Sequence, residues 1–257
     1  MYSVELNSIF HPINCSDLIR LGKDFDGGYL VCRRDIEKSD ALIGMGVSDD
    51  WSFESDFYKL KKIQIDTYDR SVGFSYFLRQ IFRKLLRLHN PMYFLKAVRT
   101  FFSFLFFFGQ ESVRHHRAFI GFDAPPKSIS LKSALAKSDG NVFLKIDIEG
   151  SEYRILDELL ACAHRISGLA IEFHDCDLHF SRLRDFIDAF PLTLVHCHVN
   201  TGGVLGLDQD PTLLELTFSS SEKGQDKVVA LPHHLDMPNK EGAPQFQVEF
   251  TGGKGFK

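Results

Sequence analysis

The sequence lacks the features of several protein classes. Its five cysteines form an odd set without a C-x-x-C pair, which argues against a disulfide framework or a zinc ribbon. The first residues carry no basic stretch followed by an apolar one, so we expect no secretory signal. A formal charge of −4 gives no overall attraction to nucleic acid. A reducing cytoplasmic location fits this cysteine usage best.

Long apolar runs are also scarce. The longest, residues 101–108, falls short of the ~20 residues that a spanning helix needs. Lys96 and Arg99 interrupt its upstream extension, so we expect that the chain does not cross a membrane. With 257 residues, 44% of them hydrophobic, it is long enough to bury a core without disulfides. We therefore predict a single domain over residues 1–257.

One segment differs from the rest in charge and aromatic content. Residues 71–117 carry a net charge of +7, the remainder carries −11, and the segment is rich in phenylalanine. Apolar residues at spacings of three and four predict amphipathic helix, as in Phe74, Phe77, Leu78, Ile81, Leu85 and Leu88. Asn90-Pro91 divides it into two helices. We interpret residues 71–117 as an insertion that forms buried packing, a lid over an acceptor pocket, a dimer interface or a surface that lies on anionic lipid. In the lipid case the acceptor would be a lipid-linked glycan.

Short apolar runs alternate with helical patterns on both sides of this insertion. Such alternation predicts an α/β fold with a mostly parallel sheet covered on both faces. We predict strands over 41–46, 62–66, 118–122, 142–148, 168–173, 192–199 and 213–218, and helices over 52–60, 128–137, 151–162 and 180–190. Ser52 is the expected cap of the first helix, and the tail beyond Ser219 is expected to wrap the surface.

Ligands of open parallel sheets bind at the carboxyl ends of the strands. The predicted first strand ends in Gly44-Met-Gly46-Val-Ser48, where glycines permit close approach of the backbone. After the second strand come Asp66 and Asp69, and an acid there commonly accepts hydrogen bonds from a ribose. Each signal by itself also fits a tight turn or a helix cap.

The segment Leu144-Lys-Ile-Asp147-Ile-Glu149-Gly-Ser-Glu152 is the most informative one. A buried strand delivers two carboxylates and a glycine to its end, where they would be partly desolvated. For Asp147 we favour a functional role, while Glu149 or Ser151 also fits the cap of the next helix.

Histidines end two further strands. Glu172 and His174 share one face of a strand, and so do His196 and His198. Together with Asp147 they offer oxygen and nitrogen ligands for a divalent ion, but we do not favour a metal site. A histidine acting as general base is the preferred interpretation.

The motif Asp147-Ile-Glu-Gly-Ser-Glu152 resembles the D-x-E-G-x-E signature of FkbM-type methyltransferases, which depend on S-adenosylmethionine. Two further motifs, Asp26-Gly-Gly-Tyr29 and Gly46-Val-Ser-Asp-Asp-Trp-Ser-Phe-Glu54, resemble elements of related methyltransferase-like proteins. The resemblance covers roughly Leu18 to Phe218, without the insertion. Ser48 stands where the family has a third glycine, and the segment between the second and third strands is longer than usual, so no substrate is carried over.

The resemblance implies a Rossmann-like methyltransferase fold with a mostly parallel seven-stranded sheet, helices on both faces and a helical insertion. It places Gly44, Gly46 and Ser48 against the methionine part of the cofactor, Asp69 at the ribose, Asp123 at the adenine, and Asp147 and Glu149 near the methyl group.

The implied reaction is O-methylation of a hydroxyl on a sugar, glycan or secondary metabolite. Asp147, His174 and His198 are the candidate bases. One alternative is a nicotinamide-dependent oxidoreductase, although this sequence lacks the last glycine of the loop that such enzymes use. The other is a membrane-associated binding module without catalysis.

Overall fold

The computed structural model describes residues 2–86, 91–206, 209–222 and 229–252. The strands are β1 (Tyr2–Asn7), β2 (Leu18–Leu21), β3 (Tyr29–Cys32), β4 (Ala41–Met45), β5 (Gln64–Tyr68), β6 (Val113–His116), β7 (Phe119–Gly121), β8 (Ser128–Ser130), β9 (Val142–Ile146), β10 (Ile166–Phe173), β11 (Thr193–Val199), β12 (Leu214–Ser219) and β13 (Phe246–Thr251). The α-helices are α1 (Arg33–Lys38), α2 (Ser52–Leu60), α3 (Phe74–Leu85), α4 (Pro91–Phe108), α5 (Leu131–Leu135), α6 (Leu156–Cys162) and α7 (Cys176–Ala189).

The central sheet has seven strands in the order β11-β12-β10-β9-β4-β5-β6. Neighbours from β10 through β6 pair in parallel, and β12 runs antiparallel to both β10 and β11. Chain order reverses between β4 and β9, and at this point a crevice opens at the carboxyl ends of the strands. The predicted Rossmann-like methyltransferase fold is confirmed.

Helices cover both faces of this sheet because adjacent strand residues point to opposite sides. Ile43 and Leu144 pack in one core cluster, which α5, α6 and α7 complete. Leu42 and Phe143 pack in the other, with α2, α3 and α4. The strands are buried on both faces, which is why they appear in the sequence as continuous apolar runs.

Several predicted boundaries differ from the structure. The second strand runs on to Tyr68, so Asp66 lies within it and not after it. Helix α2 begins at Ser52 as predicted, but Ser52 is not its cap, and Asp50 Oδ1 instead accepts the backbone N–H of Ser52 at 3.1 Å. The range 128–137, predicted as one helix, contains β8 followed by α5, with Ser130 as the cap.

The segment 71–117 contains more than helices. Its two helices, α3 and α4, form an antiparallel-type hairpin that packs on one face of the sheet. Its last part, Val113–His116, pairs with β5 as the edge strand of the central sheet, a strand that the sequence did not reveal. The predicted insertion residues Arg87, Leu88 and Asn90 lie outside the described residues.

Helix α4 is the one helix in the described part of the chain that is long and apolar enough to span a membrane. Core helices of soluble proteins meet the same criteria of length and composition. Its inner side chains Phe101, Phe104 and Phe107 are buried in the core beside α3.

The tail beyond Ser219 does more than wrap the surface. Strand β13 pairs in parallel with β1 at the opposite end of the chain. Asp236 and Asn239 from the same tail reach the buried ends of β11 and β12.

Candidate active site

The loop after β4 is built around Gly46. Its φ is +77°, and a Cβ atom there would lie 1.5 Å from the carbonyl oxygen of Asp147. Its N–H donates to the carbonyl of Tyr68 at 3.0 Å, and the N–H of Asp147 donates to the carbonyl of Met45 at the same distance. Only glycine permits this approach, so the ends of β4, β5 and β9 are held together at Gly46.

Asp69 fastens the end of β5 to the same loop. Its Oδ2 accepts the backbone N–H of Ser48 at 2.8 Å, and its Oδ1 accepts both the N–H and the hydroxyl of Ser71 at 2.6 Å. Ser48 adopts a left-handed conformation with φ +47°. The structure therefore joins Gly46, Ser48 and Asp69, three of the predicted cofactor residues.

Asp147 lies at the end of β9 beside two polar partners, Lys145 and Tyr29. Lys145 Nζ donates to its Oδ2 at 3.2 Å, and the Tyr29 hydroxyl approaches the same oxygen at 3.4 Å. Burial opposes the charge of Lys145, but the carboxylates of Asp147 and Glu54 outweigh burial and raise the pKa of this lysine. Lys145 therefore remains an ammonium ion that fixes the Asp147 carboxylate.

The loop after Asp147 is organised by Glu152. This fully buried carboxylate accepts the backbone N–H groups of Ile148 and Gly150 through Oε1, at 3.0 and 3.3 Å. The same oxygen lies 3.2 Å from Nδ1 of His174. Glu152, and not the expected Glu149 or Ser151, thus organises the start of the following helical turn.

His174 is a cation in this environment. Burial lowers the pKa of His174, but the hydrogen bond and charge of Glu152 outweigh burial and raise it to about 9. Its Nε2 lies 3.4 Å from the exposed carboxylate of Glu149 and 4.0 Å from Asp147. A protonated imidazole donates protons, so the predicted histidine base is not present at this position at neutral pH.

Glu54 of α2 is buried next to these groups. Its Oε1 has no hydrogen-bond partner, and burial raises the pKa of its carboxyl to about 7. The same oxygen lies 2.5 Å from the position where a Cβ atom at Gly44 would be. The absence of a side chain at Gly44 therefore leaves room for Glu54 below the loop, and Glu54 keeps an acceptor oxygen without a partner.

A cavity of about 190 Å³ opens between these residues. Six carboxylate residues and only two lysines line it together with glycine, serine and apolar side chains. The charged residues are Asp26, Asp49, Asp50, Glu54, Asp147, Glu149, Lys23 and Lys145, and the lining also includes Gly27, Gly46, Val47, Ser48 and Phe53. A ligand with cationic groups suits this cavity, and the unpartnered Glu54 oxygen provides an acceptor for an ammonium donor.

Two predicted residues lie elsewhere. Asp123 accepts the N–H of Ser130 at 2.8 Å and the Ser130 hydroxyl at 3.0 Å, so it supports the start of α5. His198 is buried in a different cluster, where its Nε2 lies 3.0 Å from Oδ1 of Asn239 and its Nδ1 lies 3.6 Å from Asp236. Burial opposes protonation of His198, but Asp236 and Glu215 outweigh it and raise its pKa to about 9, so it too is a donor.

A chain of buried hydrogen bonds links this cluster to the site. Tyr29 donates to Glu172 at 3.0 Å, and the Asn200 amide donates to both Glu172 and Glu215, at 2.8 and 3.1 Å. Burial and the neighbouring Glu215 raise the pKa of Glu172 to about 8. Glu172 and His198 therefore lie behind the site and not within it.

The side chains predicted as a mixed metal set do not all converge. Donor atoms of Asp147, Glu149 and His174 lie within 4.8 Å of one another, whereas His196 and His198 belong to the cluster around Asp236.

Sequence reasoning overlooked Lys145, Tyr29 and Glu54 as residues of the site. Lys145 precedes Asp147 by two positions in a strand, which puts both on one face. Tyr29 and Glu54 are the last residues of the two short motifs quoted above, so their position in those motifs was the available signal.

The model of the methyltransferase FkbM domain matches residues 96–191, which include Asp147–Glu152 but neither of the other two motifs. A search of curated proteins finds no significant match.

Three solved structures illustrate the structural likeness. Precorrin-6y C5,15-methyltransferase from Geobacter metallireducens GS-15 is 15% identical, with a TM-score of 0.39 over 73% of this chain and 84% of its own. The METTL16 MTase domain is 10% identical, with a TM-score of 0.39 over 74% and 63%. The S-adenosylmethionine-dependent methyltransferase SibL is 12% identical, with a TM-score of 0.35 over 73% and 52%. These likenesses are too distant to bear on function.

The family match is the comparison that bears on identity. The matched range contains Asp147 and Glu149, whose carboxylates line the cavity, and Glu152, whose carboxylate organises the loop. The resemblance to FkbM-type methyltransferases is thus confirmed over residues 96–191, and it supports an S-adenosylmethionine-dependent methyltransferase.

Proposed function

We propose that this protein transfers a methyl group from S-adenosylmethionine to a hydroxyl group of a sugar, glycan or secondary metabolite. The observation that carries the proposal is the acidic cavity at the carboxyl ends of β4 and β9. It adjoins the Gly46 loop, which Asp69 holds in place through Ser48. The family match supports the cofactor, and the cavity supports its place.

Charge favours this cofactor over a nicotinamide dinucleotide. S-adenosylmethionine carries a sulfonium and an ammonium group, which six carboxylate residues around the cavity attract. A dinucleotide carries a pyrophosphate, which the same carboxylates repel. The oxidoreductase alternative is therefore disfavoured by the electrostatics of the cavity.

The protein's own side chains provide an oriented group that accepts the proton of the hydroxyl nucleophile. When bound, the cofactor supplies an electrophilic methyl group. Asp147 is the one of the three candidate bases that lines the cavity and is not a protonated histidine. Lys145 and Tyr29 fix its carboxylate, so a hydroxyl nucleophile meets an acceptor that is already oriented.

A groove next to the cavity provides room for the acceptor. It measures about 660 Å³, lies between α2 and α4, and shares Asp49 and Asp50 with the cavity. Ten of its thirteen lining residues are polar or charged: Asp49, Asp50, Ser52, Ser55, Asp56, Lys59, Lys96, Arg99, Thr100 and Ser103, with Trp51, Met92 and Leu95 completing the lining. Such a mixture of carboxylate, hydroxyl and basic groups suits a polyhydroxylated acceptor, which is why we propose O-methylation.

Parallel thermal denaturation with S-adenosylmethionine, S-adenosylhomocysteine and NAD tests the cofactor. A ligand at 100 times its dissociation constant stabilises the protein by about 2.7 kcal/mol. We expect stabilisation by the two sulfur-containing ligands. Stabilisation by NAD alone would overturn the proposal.

The variant Asp147→Asn then tests catalysis. We expect it to bind S-adenosylhomocysteine but to lose most methyl transfer to a panel of sugar and glycan acceptors. If the wild-type protein binds the cofactor and transfers methyl to none of these acceptors, the chain is a binding module or acts on another class of acceptor, and O-methylation of glycans is wrong.

A further inference from the structure

Exposed apolar side chains are concentrated on the outer face of the α3–α4 hairpin. Eleven large hydrophobic residues between positions 74 and 106 are exposed: Phe74, Leu78, Phe82, Leu85, Leu86, Met92, Tyr93, Leu95, Phe102, Leu105 and Phe106. On α3 they recur at positions 74, 78, 82 and 85, which form one stripe along the helix. On α4, Leu95, Phe102 and Phe106 form a second stripe. An apolar surface of this size on a soluble domain marks an interaction site.

Basic side chains accompany these stripes. Arg79 and Arg83 are exposed on α3, and Lys96 and Arg99, which also line the groove, are exposed on α4. The sequence from Phe74 to Phe108 contains no acidic residue. The rest of the chain outside 71–117 carries −11, so the positive potential is local to the hairpin. Exposed apolar residues with flanking arginine and lysine are the composition of helices that lie in the headgroup region of anionic membranes.

We propose that the outer face of the α3–α4 hairpin docks on an anionic phospholipid surface, with Phe82, Phe102 and Phe106 among the acyl chains. The charge of the face selects this occupant. A second copy of the chain, docked by the same face about a two-fold axis, would bring these basic side chains close to their own copies. Anionic headgroups instead neutralise them.

Because the inner face of the hairpin packs in the core, neither of its helices can cross the bilayer while the protein stays folded. Phe104 packs edge-to-face on Trp51 with ring centroids 5.8 Å apart, and Phe77 does the same at 5.9 Å. Phe101 and Phe107 are buried in the same core. A helix that covers the sheet on one side offers lipid only its other side, so the hairpin lies on the membrane and does not span it.

Vesicle flotation tests this proposal. We expect the wild-type protein to float with phosphatidylcholine vesicles that contain phosphatidylglycerol, and to bind pure phosphatidylcholine much more weakly. Neutralising Arg79 and Arg83 as R79Q/R83Q should reduce the affinity by about fivefold for each charge, because a basic side chain near an anionic surface contributes about 1 kcal/mol.

The matched apolar variants are F82D/F106D in the hairpin and F119D/F122D outside it. All four phenylalanines are more than half exposed, at 62%, 81%, 55% and 65%, so neither double variant removes buried packing. We expect the first to abolish flotation and the second to leave it unchanged. Equal loss in both, or no flotation of the wild type, would overturn the proposal. Concentration-dependent dimerisation that F82D/F106D abolishes, without flotation, would assign the face to a second copy.

Trp51 reports whether the hairpin stays on the domain. It is the single tryptophan of the chain, and its ring contacts Phe77, Phe104 and Phe108. We expect its emission maximum to stay at the same wavelength when vesicles bind. A red shift on binding would mean that the hairpin leaves the core. The hairpin would then insert into the membrane, and the proposal of surface docking would be wrong.

Discussion

At the scale of single residues, the most unusual group of the site is the buried carboxylate of Glu54. Glu54 is almost fully buried, and one of its oxygens has no hydrogen-bond partner. Such an arrangement costs stability and is retained where a ligand uses it. The residue therefore connects the stability of the free protein with the binding of the proposed cationic cofactor.

The variant Glu54→Gln tests this connection. Because burial raises the folded-state pKa of Glu54 from 4.5 to about 7, ionisation at higher pH costs folding free energy. The penalty is absent below pH 4.5, grows as the pH rises and is complete above about pH 7. We expect the variant to be more stable than the wild type at pH 8, by about 1–3 kcal/mol, and to bind S-adenosylhomocysteine more weakly.

Urea denaturation between pH 5 and pH 8 measures the effect. Glu37, an exposed residue, provides the control, and Glu37→Gln should leave both stability and affinity unchanged. A stability difference between Glu54→Gln and the wild type that is independent of pH would contradict the assigned cause.

At the scale of elements, the α3–α4 hairpin is a part of the fold with two unlike faces. One face buries Phe77, Phe101, Phe104 and Phe107 over β5 and β6, while the other remains apolar and exposed. The hairpin also forms one wall of the groove next to the site. The same element thus contributes to stability, to the proposed acceptor site and to the proposed membrane surface.

Two alanine variants on α4 separate its faces. Phe104→Ala removes a buried ring that contacts Trp51 and Phe77, and we expect it to cost about 3–5 kcal/mol. Phe106→Ala, two positions along, removes a ring that is 81% exposed and should change the unfolding free energy by less than about 0.5 kcal/mol. Chemical denaturation compares the two. Similar costs would mean that the exposed face is covered in solution.

The β2–β3 hairpin brings together residues whose separation in the sequence gives no sign that they are close. Cys15 and Cys32 are 17 positions apart, yet both thiols lie on Oδ1 of Asp17, at 3.0 and 3.2 Å. Arg34 binds the other oxygen of Asp17 at 2.9 Å. The absence of a C-x-x-C pair in the sequence therefore did not mean that all thiols are far from each other.

At the scale of the whole molecule, the tail closes the far side of the sheet. Asp236 lies 2.9 Å from Nε2 of His196 and 3.6 Å from Nδ1 of His198, and its side chain is 2% exposed. Burial opposes its ionisation, but the two histidines outweigh burial and hold the pKa of Asp236 well below its ordinary value. Strand β13, from the same tail, pairs with β1. The tail is thus an integral part of the fold.

The variant Asp236→Asn tests the contribution of this ion pair. Loss of the carboxylate removes one of the two acidic groups that offset the charge of the buried His198, which costs on the order of 3–5 kcal/mol. His198 has a folded-state pKa of about 9, so the stabilisation is complete below pH 6.5 and declines as the pH rises through 9. We expect the stability difference from wild type to be largest near pH 6 and smaller at pH 9, as measured by urea denaturation.

The exposed Glu241 of the same tail provides a control, since Glu241→Gln should change stability little at either pH. An equal loss at pH 6 and pH 9 in Asp236→Asn would indicate that packing, and not the ion pair, determines its cost.

The sequence by itself determined the class of the fold and the position of Asp147 at the end of its strand. Continuous apolar runs between helical patterns require a sheet buried on both faces, and an acid directly after such a run must lie at its edge, as Asp147 does. Gly46 was predictable for a similar reason, since a glycine after a buried strand permits close approach of the backbone.

Only the tertiary structure decided which side chains meet. The edge strand Val113–His116, the partner role of Lys145, the separation of His198 from the site and the burial of Asp236 all depend on residues distant in sequence. Protonation followed the same contacts, because Glu152 makes His174 a cation and burial brings the pKa of Glu54 close to neutrality. The local sequence pattern determines the type of a helix or strand and where it ends. The electrostatic field at a side chain, in contrast, is the sum of charges that only the folded chain brings together.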